Sequence, residues 1–368
     1  MKKYVTLGEV CKLNMGQSPD SSTYNDNGEG IPFYQGNADF GEIHPITAHW
    51  CTSPTKLAED GDILISVRAP IGALNIATEK CCIGRGLAAI TVDSENVIRD
   101  YIRYMLKSRV TMLQAMGTGS TFKAINKNVL NDMQFLMPTL EEQNQIALNL
   151  IKIDTVIHIC TDLMNKLDMI VKSRFIEMFN TGEYTTVKLK SVCSKITDGT
   201  HKTPNYLPEG ITFISAKNII NGELDFSDVK YISETEYNEI QKRCQTEIHD
   251  ILLSKSGSLG SPTILRTDKP LGLFESLAII KYDRRIMLPE FLCEQLKTDD
   301  IQRQFKIGTK GVAIKHLHLN VIGDIDVVVP PLALQQQFAD FVEQTDKSKF
   351  IVDNIKKIIR RVRIYDQL

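Results

Sequence analysis

Two kinds of hydrophobic pattern alternate along this chain. Over residues 5 to 138 the apolar positions come in short runs, Ile63 to Val67 and Leu87 to Val92 among them, broken by Gly, Pro and Asn. Apolar runs of about four to eight residues between such breakers predict the strands of a mixed α+β domain. One helix is expected near Arg99 to Gln114. From Pro138-Thr139 the period changes. Thr139 and Glu142 have the spacing of a capping box, which satisfies otherwise orphaned backbone N–H groups at a helix start, and neither Pro nor Gly follows until Gly182. Ile146, Asn149, Ile153, Val156, Cys160, Leu163, Leu167 and Ile170 then step by three and four, the seam of a coiled coil.

The same succession occurs a second time. Val5-Thr6-Leu7-Gly8-Glu9-Val10-Cys11 returns as Val187-Lys188-Leu189-Lys190-Ser191-Val192-Cys193, an offset of 182. Ile31-Pro32-Phe33 matches Ile211-Thr212-Phe213, and Asp62-Ile63-Leu64-Ile65-Ser66 matches Asp250-Ile251-Leu252-Leu253-Ser254. By Gln143-x-Gln145-x-Ala147 and Gln335-x-Gln337-x-Ala339 the offset has drifted to 192. Ordered matches with small insertions mean a duplication. The seam repeats as Phe338, Phe341, Thr345, Ser348, Val352, Ile355, Ile359 and Val362. At about 1.5 Å per residue, roughly 35 to 40 helical residues make a rod of about 55 Å. A rod with so narrow an apolar stripe is marginal alone, so the two helices are expected to bury their seams against each other; the alternative is that each packs on its own domain. Antiparallel pairing would relate the halves by a pseudo-twofold axis. The expected organisation is a globular domain at 1–138, a helix at 139–182, a second domain at 183–331 and a second helix at 332–368.

Composition narrows the class. The chain has 368 residues, 42% hydrophobic and 24% charged, enough for about two domains and free of any apolar run that could span a bilayer. Its eight cysteines show no C-x-x-C spacing, and adjacent Cys81-Cys82 suit strand filling better than chelation. They read as reduced and cytosolic, and Met1-Lys2-Lys3 is followed by no signal-like apolar stretch. No phosphate loop of the form G-x-x-x-x-G-K-[ST] exists, and the single Pro-Pro, Pro330-Pro331, lacks the polar and aromatic neighbours of an amino-methyltransferase loop. His316-x-His318 offers two ligands but no Cys or carboxylate at zinc-like spacing. No catalytic residue, cofactor or metal is expected.

Two α+β domains alternating with two long helices, with Pro138-Thr139-Leu140-Glu141-Glu142-Gln143-Asn144-Gln145-Ile146-Ala147 opening the first helix and Pro331-Leu332-Ala333-Leu334-Gln335-Gln336-Gln337-Phe338-Ala339 the second, resemble the specificity subunit of type I restriction-modification enzymes. The resemblance covers the whole chain. The second copy departs from the family pattern, with Leu334 for the glutamate and Phe338 for the isoleucine, which weakens its helix cap. The resemblance implies that each domain is a target recognition domain reading one half of a bipartite, asymmetric site in double-stranded DNA. It further implies that the helices set the half-site spacing and dock modification subunits, two of them expected, which methylate adenine N6. Restriction and translocase subunits would complete the complex, with no membrane involved. The competing reading is a coiled-coil scaffold that holds partner subunits without touching DNA.

Net charge is -2, from 43 basic and 45 acidic side chains, which by itself argues against a polyanionic partner. The average conceals two acid-free windows. Tyr101 to Asn131 holds five cations, Arg103, Lys107, Arg109, Lys123 and Lys127; Ile301 to Gly323 holds four, Arg303, Lys306, Lys310 and Lys315. Recurrence at the same place in both copies is the footprint expected of phosphate contacts. Within the windows Gly117-Thr118-Gly119-Ser120-Thr121 and Gly308-Thr309-Lys310-Gly311 are either plain turns or loops whose N–H groups approach phosphate. Base reading needs paired donors and acceptors. Candidates are Tyr34, Gln35 and Asn37 in the first domain, Lys217 and Asn218 in the second, and the pair Arg68 and Lys255 beside Gly72 and Gly260. With His316, and with Thr118 and Ser120 for the glycine-rich loop, these complete the expected DNA-contacting set.

Overall fold

The computed structural model describes residues 3–119, 123–180, 182–308 and 316–365. Ser120, Lys310 and Lys315 of the expected DNA-contacting set, and the side chain of Val362, lie outside the described residues. Two compact units form, Met1–Ile159 with Lys356–Leu368, and Cys160–Ile355. The division falls inside both long helices.

Each unit is built on an antiparallel four-stranded sheet, and the strand order is the same in both. In the first it runs Cys11–Met15, Leu87–Val92, Ile63–Ser66, Leu74–Ile76; in the second, Cys193–Asp198, Leu277–Tyr282, Ile251–Ser254, Pro262–Ile264. Both faces are covered, which is why these strands read as unbroken apolar runs rather than alternating ones. Ala88 and Ile90 pack into one core, while Leu87 and Ala89 pack into another on the opposite face. In the second unit Ala278 and Ile280 are likewise divided from Leu277 and Ile279. The repeated Asp-Ile-Leu-x-Ser motif now has a cause. Buried Asp62 accepts from Glu59 N at 2.9 Å and buried Asp250 from Glu247 N at 2.7 Å, fixing the turn into the strand. At its far end Ser66 Oγ accepts from Ala73 N at 2.9 Å, and Ser254 Oγ from Ser261 N at 3.0 Å, closing the hairpin.

A second layer differs between the units. Ile31–Tyr34 runs parallel to Cys81–Ile83 inside a five-stranded sheet, whereas the equivalent Ile211–Ile214, parallel to Leu271–Leu273, belongs to a three-stranded one. Cys81 and Cys82 are buried on opposite faces of their strand, as filler. Helix Glu234–Arg243 occurs in the second unit.

The expected helix at Arg99 to Gln114 is two, Arg99–Ser108 and Val110–Met116, broken at Arg109 without Pro or Gly. The second unit breaks likewise between Pro289–Lys297 and Asp299–Gly308. In both, the break turns the second segment so that Leu113 or Phe305 enters the core; tertiary packing overrides local propensity.

The long helices are Leu140–Phe179 and Leu332–Tyr365. Thr139 caps the first as expected, its N–H donating to Glu142 Oε2 at 2.9 Å and its Oγ1 accepting from Glu142 N at 3.3 Å. In the second unit the helices pair antiparallel, Asp168 opposite Lys349 at 2.6 Å and Phe175 opposite Phe338 at 5.5 Å between ring centroids. Phe179 and Phe291 close an aromatic cluster around them.

The seam itself requires correction. Of the expected positions Ile146, Val156, Leu163, Ile170 and Ile355 are exposed, Ile170 by 48%, and Ser348 is exposed too. The buried stripe of the first helix is Gln143, Ala147, Leu150, Cys160, Val171, Phe175 and Phe179; that of the second is Gln335, Phe338, Ala339, Val342 and Thr345. It keeps Cys160, Phe338 and Thr345 of the expected seam and otherwise lies mostly one position C-terminal to it. In the first helix the displacement follows from Gln143, counted as surface, which begins the buried stripe.

Phe175→Ala, a buried residue outside the expected seam, should therefore cost about 3–5 kcal/mol of unfolding free energy, while Ile170→Ser should stay within about 0.5 kcal/mol. Denaturant melts of the two variants check the observed stripe against the expected one.

Candidate nucleic-acid interface

In the first unit main-chain hydrogen bonds draw distant loops to one edge of the four-stranded sheet. Gly86 N donates to Gln35 O at 3.1 Å, Val67 N to Gly86 O at 2.9 Å and Ile125 N to Val67 O at 2.9 Å. Ala69 N donates to Lys123 O at 3.2 Å, and Thr118 and Ala124 exchange two bonds of 3.0 and 2.9 Å. Gln35, Arg68, Thr118 and Lys123 thus become neighbours, and all four are exposed. A Cβ on Gly86 would stand 2.4 Å from Gln35 O, so only glycine permits this approach. Half-buried Asn37 opens the turn Asn37–Asp39, which Asp39 Oδ2 locks by accepting from Gln35 N at 2.6 Å. Lys127 begins helix Lys127–Asn131, and Arg109 sits at the helix break; both are exposed.

Tyr34 does not join this edge. It is 2% exposed, packs with Leu64, Ile83 and Leu87, and bonds Thr47 Oγ1 through its hydroxyl at 2.7 Å. Both faces of its strand Ile31–Tyr34 are covered, Phe33 packing on one and Tyr34 on the other, and Gln35 follows the strand's end at the surface. Arg85, which the sequence reading passes over, does belong there. It is exposed between Gly84 and Gly86, with its N–H donating to Ser18 Oγ at 3.2 Å; a lone arginine between two glycines is its only signal.

The second unit builds the same edge with other side chains. Lys255 N donates to Ser276 O at 2.7 Å and Leu317 N to Lys255 O at 2.9 Å, so Ser276, Lys255 and Leu317 occupy the places of Gly86, Val67 and Ile125. Glu275 stands where the first unit has Arg85. It meets His201 Nδ1 at 2.6 Å. Lys255 is 3% exposed and paired with Asp198, itself 2% exposed, which corrects its reading as a DNA contact: at the position of buried Val67 the side chain points into the core. Arg243 also pairs with Asp198, and His201 Nε2 lies 3.3 Å from it. Burial pushes the Asp198 carboxyl up, but the bonds from Lys255, Arg243 and His201 outweigh it and hold the group below the usual carboxylate range.

Asn218 is another correction. It is buried, accepts from Ser215 N at 3.0 Å and donates to Asp225 O at 3.1 Å and Asp228 O at 3.0 Å, so its amide is spent on shaping the turn, as Asp39 is in the first unit. Lys217 is exposed and paired with Asp228 at 3.0 Å. His316 is half-buried, 5.8 Å from the His318 ring, and burial with Lys255 nearby lowers its pKa, so it is neutral near pH 7. No group of His, Cys, Asp or Glu among the described residues has metal-site geometry, and no described helix is long and apolar enough to cross a membrane.

The basic windows also shrink. Arg103 pairs with Asp100 at 3.1 Å and stacks over the Tyr104 ring at 4.4 Å, while Lys107 reaches Asp154 at 3.1 Å. Both acids lie outside the window along the chain but beside it in space. Arg303 pairs with Asp300 at 2.9 Å, and exposed Lys306 is partnered as well. Of the first window Arg109, Lys123 and Lys127 remain, to which the sheet edge adds Arg68 and Arg85.

Residues 2–169 and 181–361 match the type I restriction modification DNA specificity domain. The chain is 43% identical over 181 residues to the protein named as the MjaX specificity subunit of Methanocaldococcus jannaschii, covering 49% of this chain and 42% of that one. Against the EcoBI specificity subunit of Escherichia coli identity is 21% over 380 residues, 92% of this chain and 78% of the relative. The crystal structure of the type I S subunit from M. genitalium superposes over 99% of this chain and 94% of its own, with a TM-score of 0.56 and 17% identity, a likeness of fold. This chain belongs to the type I restriction-modification specificity subunit family, whose members are non-catalytic.

The Asp198–Lys255 pair occupies the places of Met15 and Val67. Asp198→Asn should cost about 3–5 kcal/mol, because it leaves Lys255 buried without a counter-charge. The double change Asp198→Met with Lys255→Val should be neutral or stabilise by about 1–4 kcal/mol. Since the folded-state pKa of Asp198 is depressed, its contribution is complete above the usual carboxylate range and lost as pH falls through the lower folded value. Thermal melts at pH 3 and pH 7 should show that extra acid sensitivity in the wild type and not in the double variant.

Proposed function

We propose that this chain is the DNA-reading subunit of a type I restriction-modification complex, each globular domain contacting one half of a bipartite, asymmetric site in double-stranded DNA. The observation that carries the reading is the twin edge: one main-chain scaffold, built twice, bearing Gln35, Arg68, Arg85 and Lys123 in one copy and Glu275, His201, Arg243 and Lys217 in the other. A shared main-chain framework with opposite charges at one matched position, Arg85 and Glu275, suits two different half-sites. The first edge, whose cations have no acidic partner among the described residues, supports phosphate contact; the second offers hydrogen-bonding groups already held in position. Residues 1–138 and 183–331 would be the readers. The long helices would set the half-site spacing and dock two modification subunits, with restriction and translocase subunits completing the assembly in the cytoplasm.

Methylome sequencing of cells carrying this chain with its modification subunit should give N6-methyladenine in one motif, two short specified blocks around an unspecified spacer. A continuous motif, or a pattern unchanged on deleting the chain, would overturn the reading. Lengthening the first long helix beside Met169 by one turn adds about 5.4 Å, against roughly 3.4 Å per base pair, so the spacer should grow by about one to two pairs with both blocks unchanged. In titrations of the assembled complex, Arg68→Ala, Arg85→Ala and Lys123→Ala should each weaken binding on all sequences alike and flatten the plot of log affinity against log salt by about 0.9 per lost phosphate contact. An unaltered slope would remove these three from the interface.

A further inference from the structure

We propose that Gln143 and Gln335 are positioning residues that fix the direction in which each long helix leaves its globular domain, and through it the half-site spacing the complex accepts. The inference rests on the DNA-reading function proposed above. Each glutamine lies in the first turn of its helix and is at most 1% exposed. Gln143 Oε1 accepts from Ile98 N at 2.9 Å, and its Nε2 donates to Pro138 O at 2.9 Å and Asn96 O at 3.4 Å. Gln335 repeats the arrangement: Oε1 accepts from Leu288 N at 2.8 Å, and Nε2 donates to Pro330 O and Ile286 O, each at 2.8 Å. Ile98 and Leu288 are the N-cap residues of Arg99–Ser108 and Pro289–Lys297, neither of which has a side-chain cap.

One carboxamide therefore ties three backbone points together: the lead-in to the long helix and two residues at the start of the short one. Only glutamine serves all three. Glutamate would set a charged oxygen against two carbonyls, and methionine, of similar length, would strand a buried N–H and two carbonyls. Apart from Met137 Sδ, 3.7 Å from Gln143 Nε2, every partner is main chain, so the clamp depends little on the divergence of the domains around it. A joint held at three points away from the helix axis resists bending and rotation, whereas a single covalent connection resists neither.

The test uses the complete complex with its modification subunits. Binding is measured on DNA carrying the cognate spacer and spacers one pair shorter and longer, for the wild type, Gln143→Met and Gln335→Met, with exposed Gln145→Ala and Gln337→Ala as controls. The Met variants should lose about tenfold of the preference for the cognate spacer while keeping both specified blocks; the controls should lose none. A folded Met variant that binds more weakly at every spacer but keeps its preference would overturn the proposal, since a purely local stabilising role predicts that result. Should the Met variants fail to assemble, amide exchange in the wild-type complex decides: Ile98 and Leu288 N–H should exchange with the slow core amides, and exchange at the rate of fraying helix ends would refute a rigid joint. If the wild type itself shows no sequence or spacer preference, it is the DNA-reading function that fails rather than the clamp.

Discussion

Main-chain hydrogen bonds, repeated almost bond for bond in the two halves, are what leave the side chains of this protein free to differ. The link from Gly86 through Val67 to Ile125 in one half, and from Ser276 through Lys255 to Leu317 in the other, assembles an edge from three separated segments without consulting a side chain. Backbone donors and acceptors must be satisfied whatever the sequence. Such an edge keeps its shape while Arg85 becomes Glu275 and Val67 becomes Lys255. The requirement that remains is local and steric, as at Gly86, where the Gln35 carbonyl comes too close for any Cβ.

The duplication was legible because it is carried by residues with main-chain duties. Asp62 and Asp250 cap the turn before a strand, Ser66 and Ser254 close the hairpin after it, and Gln143 and Gln335 clamp the helix start. The same residue at each of these places makes the same main-chain bonds in both halves, which is what made the repeat visible. The seam was misread for the same reason. Periodicity counts a glutamine as polar surface, yet a carboxamide with its hydrogen bonds satisfied is at home in a core. Once Gln143 is taken as buried, Ala147 and Leu150 follow at steps of four and three, and Ile146 is left outside.

Candidate contacts were less legible, because a side chain's direction depends on pleat and register, which type does not encode. Tyr34 and Gln35 are adjacent, yet Tyr34 is the last residue of a strand covered on both faces and Gln35 the first beyond it, at the surface. Lys255 looked like the partner of Arg68, yet it occupies the place of Val67, one position earlier in the repeat, and so is swallowed with its counter-ion. A shift of one residue reverses the face. Counting charges along the chain failed similarly: Asp154, which neutralises Lys107, is 47 residues away in sequence and 3.1 Å away in space.

If the two edges meet DNA as proposed, they would hold a polyanion in different ways. An unpaired surface cation gives up only its hydration to meet a phosphate and releases a counterion as it does so. A paired cation must first part from its carboxylate, and for Arg243 that carboxylate is buried and shared with Lys255. Releasing it would leave Asp198 less compensated in a site where burial already opposes its charge. Arg243 and His201 are therefore suited to offer the hydrogen-bonding positions that Asp198 leaves open, held in direction, rather than to swing toward phosphate. Charge would then supply the attraction at the first edge and fixed geometry the discrimination at the second, which is compatible with a chain whose net charge is only -2.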